Sequence, residues 1–127
     1  MAKKILIIED DKEFSDAVAA MLAAKGYATA TAYNGTDGFE KAQGEKPDLI
    51  LLDVMMTRKT EGFDVARQLK SHEVTSHIPV VMVTGIRKEF NLPFGFEADD
   101  HWLPVKTVLE KPVKPEKLLK AIEEILK

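Results

Sequence analysis

The chain's most constraining feature is a series of short, almost unbroken apolar runs that stop abruptly at polar side chains. Ile5 to Ile8 is continuously aliphatic and ends on Glu9, Asp10 and Asp11; Leu49 to Leu52 ends on Asp53; Val80 to Val83 ends on Thr84. Runs of this length without period-two alternation fit strands buried on both faces, and the segments between them carry apolar residues at helical spacing. Phe14, Ala17, Val18, Met21 and Leu22 mark one helix, with Gly26 as a stop. Ala28 to Ala32 reads as a weaker strand. Asn34 to Thr36 offers N-cap chemistry for a helix carrying Phe39 and Ala42 and closed by Gly44 and Pro47. Beyond a loop through Gly62, the residues Phe63, Ala66 and Leu69 predict a third helix. Val105 to Leu109 predicts a fifth strand ending at Glu110, Lys111 and Pro112. Pro115 opens a last helix with Leu118, Leu119, Ile122, Ile125 and Leu126 on its apolar face. Alternation of this kind predicts an α/β fold of five βα units, a parallel sheet with helices on both faces. Between Gly85 and Pro104 the apolar residues keep no period, and Asn91, Pro93, Gly95 and Pro104 interrupt them, so the fourth helix is expected to be short or distorted.

Composition sets the outer limits. A chain of 127 residues, 45% hydrophobic and 31% charged, suits one domain over 1–127 and leaves no room for a second. A net charge of −3 gives no field that would attract nucleic acid or anionic lipid. With no cysteine, disulfide frameworks and thiolate metal sites are excluded. No apolar stretch approaches a membrane span, and the N-terminus has no signal-peptide pattern, so a soluble, cytoplasmic chain without membrane or direct nucleic-acid partners is expected.

In open α/β sheets, ligands bind outside the carboxyl ends of the strands, so the residues ending the apolar runs should converge. They comprise Glu9, Asp10, Asp53, Thr84 and Lys111. Three carboxylates in one place repel one another unless a cation compensates them, and a hard, oxygen-seeking ion such as Mg²⁺ (or Mn²⁺) does so best. An aspartate can attack phosphorus to give an acyl phosphate, with a metal and a lysine neutralising the transferred oxygens and a hydroxyl bonding another. Bland readings compete at each position. Asp11, just before Lys12, reads as an N-cap. An acid directly after four aliphatic residues, as at Asp53, requires a partner. Thr84 and Lys111 acquire meaning only from the constellation. His72, His77 and His101 have no metal-site spacing and read as surface or loop residues, and Arg67 and Lys70 as solvated charges. Arg58 and Lys59 read the same way, although they could attract a phosphodonor.

The segments ILIIEDD (5–11), LILLDVMM (49–56), VVMVT (80–84) and EKP (110–112) together resemble the receiver domains of two-component response regulators, and the likeness covers essentially the whole chain. That resemblance implies a flavodoxin-like fold with strand order 2-1-3-4-5. It implies Asp53 as phosphoacceptor, Glu9 and Asp10 as metal-binding acids with the Met55 carbonyl as a further metal ligand, Thr84 as the switch hydroxyl and Lys111 as the phosphate-pairing lysine. It further implies a histidine kinase or histidine phosphotransfer protein as donor and a separate protein as downstream target, since no effector segment follows Lys127. A phosphoryl group on Asp53 is then expected to draw Thr84 inward and shift the segment after the fourth strand, with Trp102 and nearby phenylalanines reading out the change.

The chain departs from the family pattern in three places. Thr57 stands where proline is usual and Gly62 falls one residue late; Val108 replaces the usual aromatic before the lysine; and 27 positions separate Thr84 from Lys111, a longer span than usual. Two other kinds of chemistry fit less well. A phosphohydrolase of the haloacid dehalogenase type would need an acid at Met55. A flavodoxin would need a phosphate-cradling loop where Glu9, Asp10 and Asp11 stand. An interaction domain with a relic pocket, independent of phosphorylation, would not need the full set of five site residues.

Overall fold

A computed structural model of the chain describes residues 3–53, 61–84, 107–110 and 114–126. Their order is β1 (Lys4–Ile8), α1 (Lys12–Ala24), β2 (Ala28–Ala32), α2 (Gly35–Glu45), β3 (Leu49–Asp53), α3 (Glu61–Ser71), β4 (Val80–Thr84), β5 (Thr107–Glu110) and a C-terminal helix (Pro115–Ile125). The strands form one sheet of order β2-β1-β3-β4-β5, and every adjacent pair is parallel. The helix expected within 85–104, Met55 and the rest of 54–60, and Lys111 lie outside the described residues, while Gly62, expected in the loop after Asp53, lies in α3.

Why the strand segments are apolar throughout is clear from where alternate residues go. Leu6, Ile8, Ile50, Leu52, Val80 and Met82 face one side, where Ala42 of α2 and Val65, Ala66 and Leu69 of α3 cover them. Ile5, Ile7, Leu49, Leu51, Val81 and Val83 face the other, covered by Val18 and Leu22 of α1 and by Leu118 and Ile122 of the C-terminal helix. Each such large aliphatic side chain contributes about 1.5–3 kcal/mol on full burial. Among the described residues two helices cover each face of the central strands β1, β3 and β4, as parallel sheets require.

The helix ends follow local chemistry. Asp11 caps α1 by accepting the Phe14 amide at 3.2 Å, and Asn34 caps α2 by accepting the Asp37 amide at 2.8 Å. At the far end of α1 the Gly26 amide bonds Ala23 O and the Tyr27 amide bonds Leu22 O, with Gly26 at φ +94°. This is the Schellman arrangement, and Tyr27 packs against the core cluster that contains Leu22.

Three local expectations shift. Helix α2 continues through Gly44 and ends on Lys46 in the left-handed region at φ 49°, because the Lys46 amide still reaches Ala42 O. Glu110 belongs to β5 rather than following it, paired in register with Thr84. On α1 the buried small residue is Ser15, not Ala17. The Ser15 hydroxyl has no hydrogen-bond partner among the described residues, and nothing in the structure accounts for its burial.

Gly38 and Gly44, both in α2, occupy opposite environments. A Cβ at Gly38 would come within 2.6–2.9 Å of three Ile8 side-chain carbons, whereas one at Gly44 would meet nothing within 4 Å. Ile8 is fully buried and cannot swing away. Gly38→Val is therefore expected to lower the free energy of unfolding in urea by about 2 kcal/mol through overpacking. Gly44→Ala should raise it by about 0.5–1 kcal/mol, because a helical glycine is replaced in open space.

At the amino ends of the strands, Lys4 ties three segments. Its ammonium pairs with Glu45 at 2.6 Å, its amide donates to Asp48 Oδ2 at 2.8 Å, and its carbonyl accepts the Asp48 amide at 2.8 Å. The hydrogen bond from Lys4 and its charge hold the Glu45 carboxyl below its ordinary range. A carboxyl depressed in the folded state contributes stability above its unfolded pKa, and the contribution is lost as pH falls through the folded value. In a side-chain NMR titration, Glu45 should therefore titrate below the exposed glutamates, and Lys4→Met should return it to their range.

Candidate metal centre at the carboxyl ends of the strands

The site is built by register. Ile8 lies opposite Leu52, so the next residues, Glu9 and Asp53, emerge side by side from adjacent strands. Asp53 in turn pairs with Val83, which places Thr84 one residue further along the neighbouring strand. Thr84 pairs with Glu110, the residue before Lys111. The topology thus brings Glu9, Asp10, Asp53 and the backbone of Thr84 to one end of the sheet.

Glu9, Asp10 and Asp53 each offer a carboxylate oxygen, and these ligand atoms all lie within 4.8 Å of one another. Glu9 and Asp53 are only 2% and 4% exposed, while Asp10 is open to solvent. The Glu9 amide donates to Ala32 O at 2.9 Å, and Glu9 Oε2 accepts the Asp11 amide at 3.2 Å. These bonds fix Glu9 between the end of β2 and the start of α1. Three oxygen donors, two of them buried, match the needs of a hard divalent cation, which takes carboxylate and carbonyl oxygens and keeps one open side for water or substrate.

Two residues to which the sequence assigned no role meet at the same end of the sheet. Tyr33 follows Ala32, and the Lys12 ammonium lies 5.2 Å from the centre of its ring. The signal that could have found them is a cation in the first turn of a helix, where the dipole favours acids. His72 and His77 are exposed, as expected, and His72 meets the Phe39 ring edge-on at 5.2 Å.

An acidic triad at the carboxyl ends of a 2-1-3-4-5 parallel sheet defines a class, and comparison with known proteins gives the same one. The profile described as the response regulator receiver domain matches residues 5–123. The chain belongs to that family, whose members are signalling modules rather than conventional enzymes.

Protein PilH of Pseudomonas aeruginosa (strain PAO1) is 37% identical over 123 residues, covering 97% of this chain and 97% of PilH. The alkaline phosphatase synthesis transcriptional regulatory protein PhoP of Bacillus subtilis (strain 168) is 34% identical over 129 residues, covering all of this chain and 50% of PhoP. The chain thus spans about half the length of PhoP and nearly all of PilH. Among solved structures, the receiver domain of a sensor histidine kinase from P. aeruginosa PAO1 superposes with a TM-score of 0.83 at 20% identity, each chain covered in full. That structure holds a magnesium ion in its active-site cleft. At this identity the likeness establishes the fold.

Like charges this close repel one another, and removing one relieves that repulsion where no cation is bound. Asp10→Asn is expected to raise the unfolding midpoint in EDTA. Saturating Mg²⁺ should stabilise the wild-type chain more than the variant and narrow or reverse the difference, a pattern readable from thermal melts with and without the metal.

Proposed function

We infer that the chain is one receiver domain over 1–127 that accepts a phosphoryl group on Asp53 in a divalent-metal-dependent reaction and thereby biases a protein-interaction surface. The observation that carries this reading is the convergence of Glu9, Asp10 and Asp53 within 4.8 Å at the sheet end where ligands bind in this architecture. Membership of the receiver family and the full-length match to PilH support it. The natural donor is a phosphohistidine on a histidine kinase or histidine phosphotransfer protein. A carboxylate oxygen of Asp53 forms the new P–O bond while the P–N bond to the imidazole breaks, and the leaving nitrogen keeps the electron pair and takes a proton from solvent.

Asp53 is the nucleophile, and its position at the end of a fully buried strand holds the reacting oxygen in place. Glu9, Asp10, Asp53 and the Met55 carbonyl would hold Mg²⁺ or Mn²⁺, and the donor set of hard oxygens fits such an ion. A magnesium ion in the cleft of the kinase receiver domain of the same fold supports that assignment. Bound there, the ion supplies charge neutralisation for the transferred oxygens. Lys111 pairs with the phosphoryl group and Thr84 bonds it as the switch hydroxyl. The site works in the cytoplasm, where such kinases present their phosphohistidines, and passes its state to a separate protein target.

Incubation with Mg²⁺ and acetyl phosphate should add one phosphoryl mass to the intact protein, released by hydroxylamine. Asp53→Asn should carry none. A wild-type chain that stays unmodified, or a variant that labels to the same extent, would overturn the assignment.

A further inference from the structure

We propose that Lys12, held against the face of Tyr33, is a specificity-determining residue at the mouth of the acidic pocket that favours doubly charged phosphodonors. The proposal deepens the phosphoacceptor reading and rests on it.

Its first support is position. Lys12 opens α1 two residues beyond Asp10, and Tyr33 is the residue after Ala32, whose carbonyl holds the Glu9 amide at 2.9 Å. Glu9 Oε2 is in turn bonded to the Asp11 amide, the residue before Lys12. Both partners of the Lys12–Tyr33 contact are therefore tied by short backbone links to a member of the triad, although they come from different βα units. The second support is that each breaks a local rule. A cation in the first helical turn opposes the helix dipole. Tyr33 is 37% exposed, one of two large hydrophobic residues exposed among the described residues. Departures of this kind without a packing gain concentrate at functional sites.

Third, the Lys12 charge is not spent elsewhere: among the described residues its ammonium makes no ion pair, and its contact is with the ring face at 5.2 Å. A cation over an aromatic face keeps its charge while losing freedom of movement, so Tyr33 acts as a positioning residue for Lys12.

The charge balance then gives the effect its sign. Three carboxylates, one divalent cation and the Lys111 ammonium of the proposed site sum to no net charge, so the pocket by itself gives a dianion no advantage over a monoanion. A further ammonium at the entrance attracts the dianion more strongly, acting on approach and orientation rather than on the bond changes themselves. With acetyl phosphate the P–O bond to Asp53 forms as the P–O bond to acetate breaks, acetate leaving with the electron pair. Lys12 takes no part in that exchange. Exposed charges are screened over about 8 Å at physiological salt, so the effect should shrink as salt rises.

The test is the rate of Asp53 labelling at saturating Mg²⁺, followed by intact mass, with acetyl phosphate as dianionic donor and phosphoramidate as singly charged donor, each at low and high NaCl. Lys12→Glu should slow acetyl phosphate labelling about tenfold at low salt and about twofold at high salt, with a smaller loss for phosphoramidate. Lys12→Arg should restore the wild-type rate. Tyr33→Ala should lose less than Lys12→Ala in the same direction, and the double variant should be no slower than Lys12→Ala. Thermal melts confirm that each variant is folded. A structural role alone would not produce the dependence on donor charge and salt. If Lys12→Glu labels at the wild-type rate with both donors at low salt, or loses equally with both at every salt, the proposal fails while the phosphoacceptor reading stands. If the wild type does not label, or Asp53→Asn labels equally, both fall together.

Discussion

The parallel pairing of β1 with β3 is the constraint on which the site depends, and its register is not fixed by the strands' own side chains. Both faces of this sheet are apolar, so a slip of one residue would exchange aliphatic side chains for aliphatic side chains and cost little through polarity alone. The ends decide instead. β1 is bounded by Lys4 and Glu9, β3 by Asp48 and Asp53, and a slip would draw a charge into the sheet. Lys4 and Asp48 exchange two bonds of 2.8 Å at the amino end, a latch that holds Ile8 opposite Leu52 and so delivers Glu9 beside Asp53 at the other. Structure at one end of the sheet sets chemistry at the opposite end.

The strands and the acids that end them were legible in the sequence for the same reason. A buried run of four aliphatic residues has no helical period, and its first charged residue marks where the chain leaves the core. The caps at Asp11 and Asn34, the stop at Gly26 and the opening proline at Pro115 were equally legible, because each is a local bond or a fixed backbone angle. What the sequence did not disclose were features decided by neighbours distant along the chain. Gly44 looked like a helix stop, yet the stop is Lys46, since a glycine facing open space gives the helix no reason to end. Gly38, by contrast, carried no visible signal, although its missing Cβ is what lets α2 lie against Ile8. The Lys12–Tyr33 contact joins residues from two different βα units, and no period within either segment points to it.

The structure also bears on the rival chemistries. A flavodoxin-type site would seat a phosphate on the amides at the start of α1. Here the Asp11 carboxylate already accepts the Phe14 amide, and the Glu9 carboxylate accepts the Asp11 amide. Those donors face carboxylates of the chain itself, and a phosphate arriving there would meet negative charge in place of N–H groups. The positive end of the helix dipole serves instead to hold acids near the triad. A dehalogenase-type hydrolase would need a general acid two residues after Asp53, and Met55 has no titratable group.

The two ends of the sheet use charge differently. At the amino end Lys4 pairs with Glu45 and bonds Asp48, and its charge holds the Glu45 carboxyl below its ordinary range. At the carboxyl end Glu9, Asp10 and Asp53 concentrate negative charge on two strands whose buried aliphatic residues prevent them from moving apart. A fold that let these strands drift apart would lose the site. The rigidity of β1 and β3 keeps the three carboxylates together. A change in charge at Asp53 must then be absorbed by the surrounding elements rather than by the strands, because the strands are fixed from below by Lys4 and Asp48 and packed on both faces.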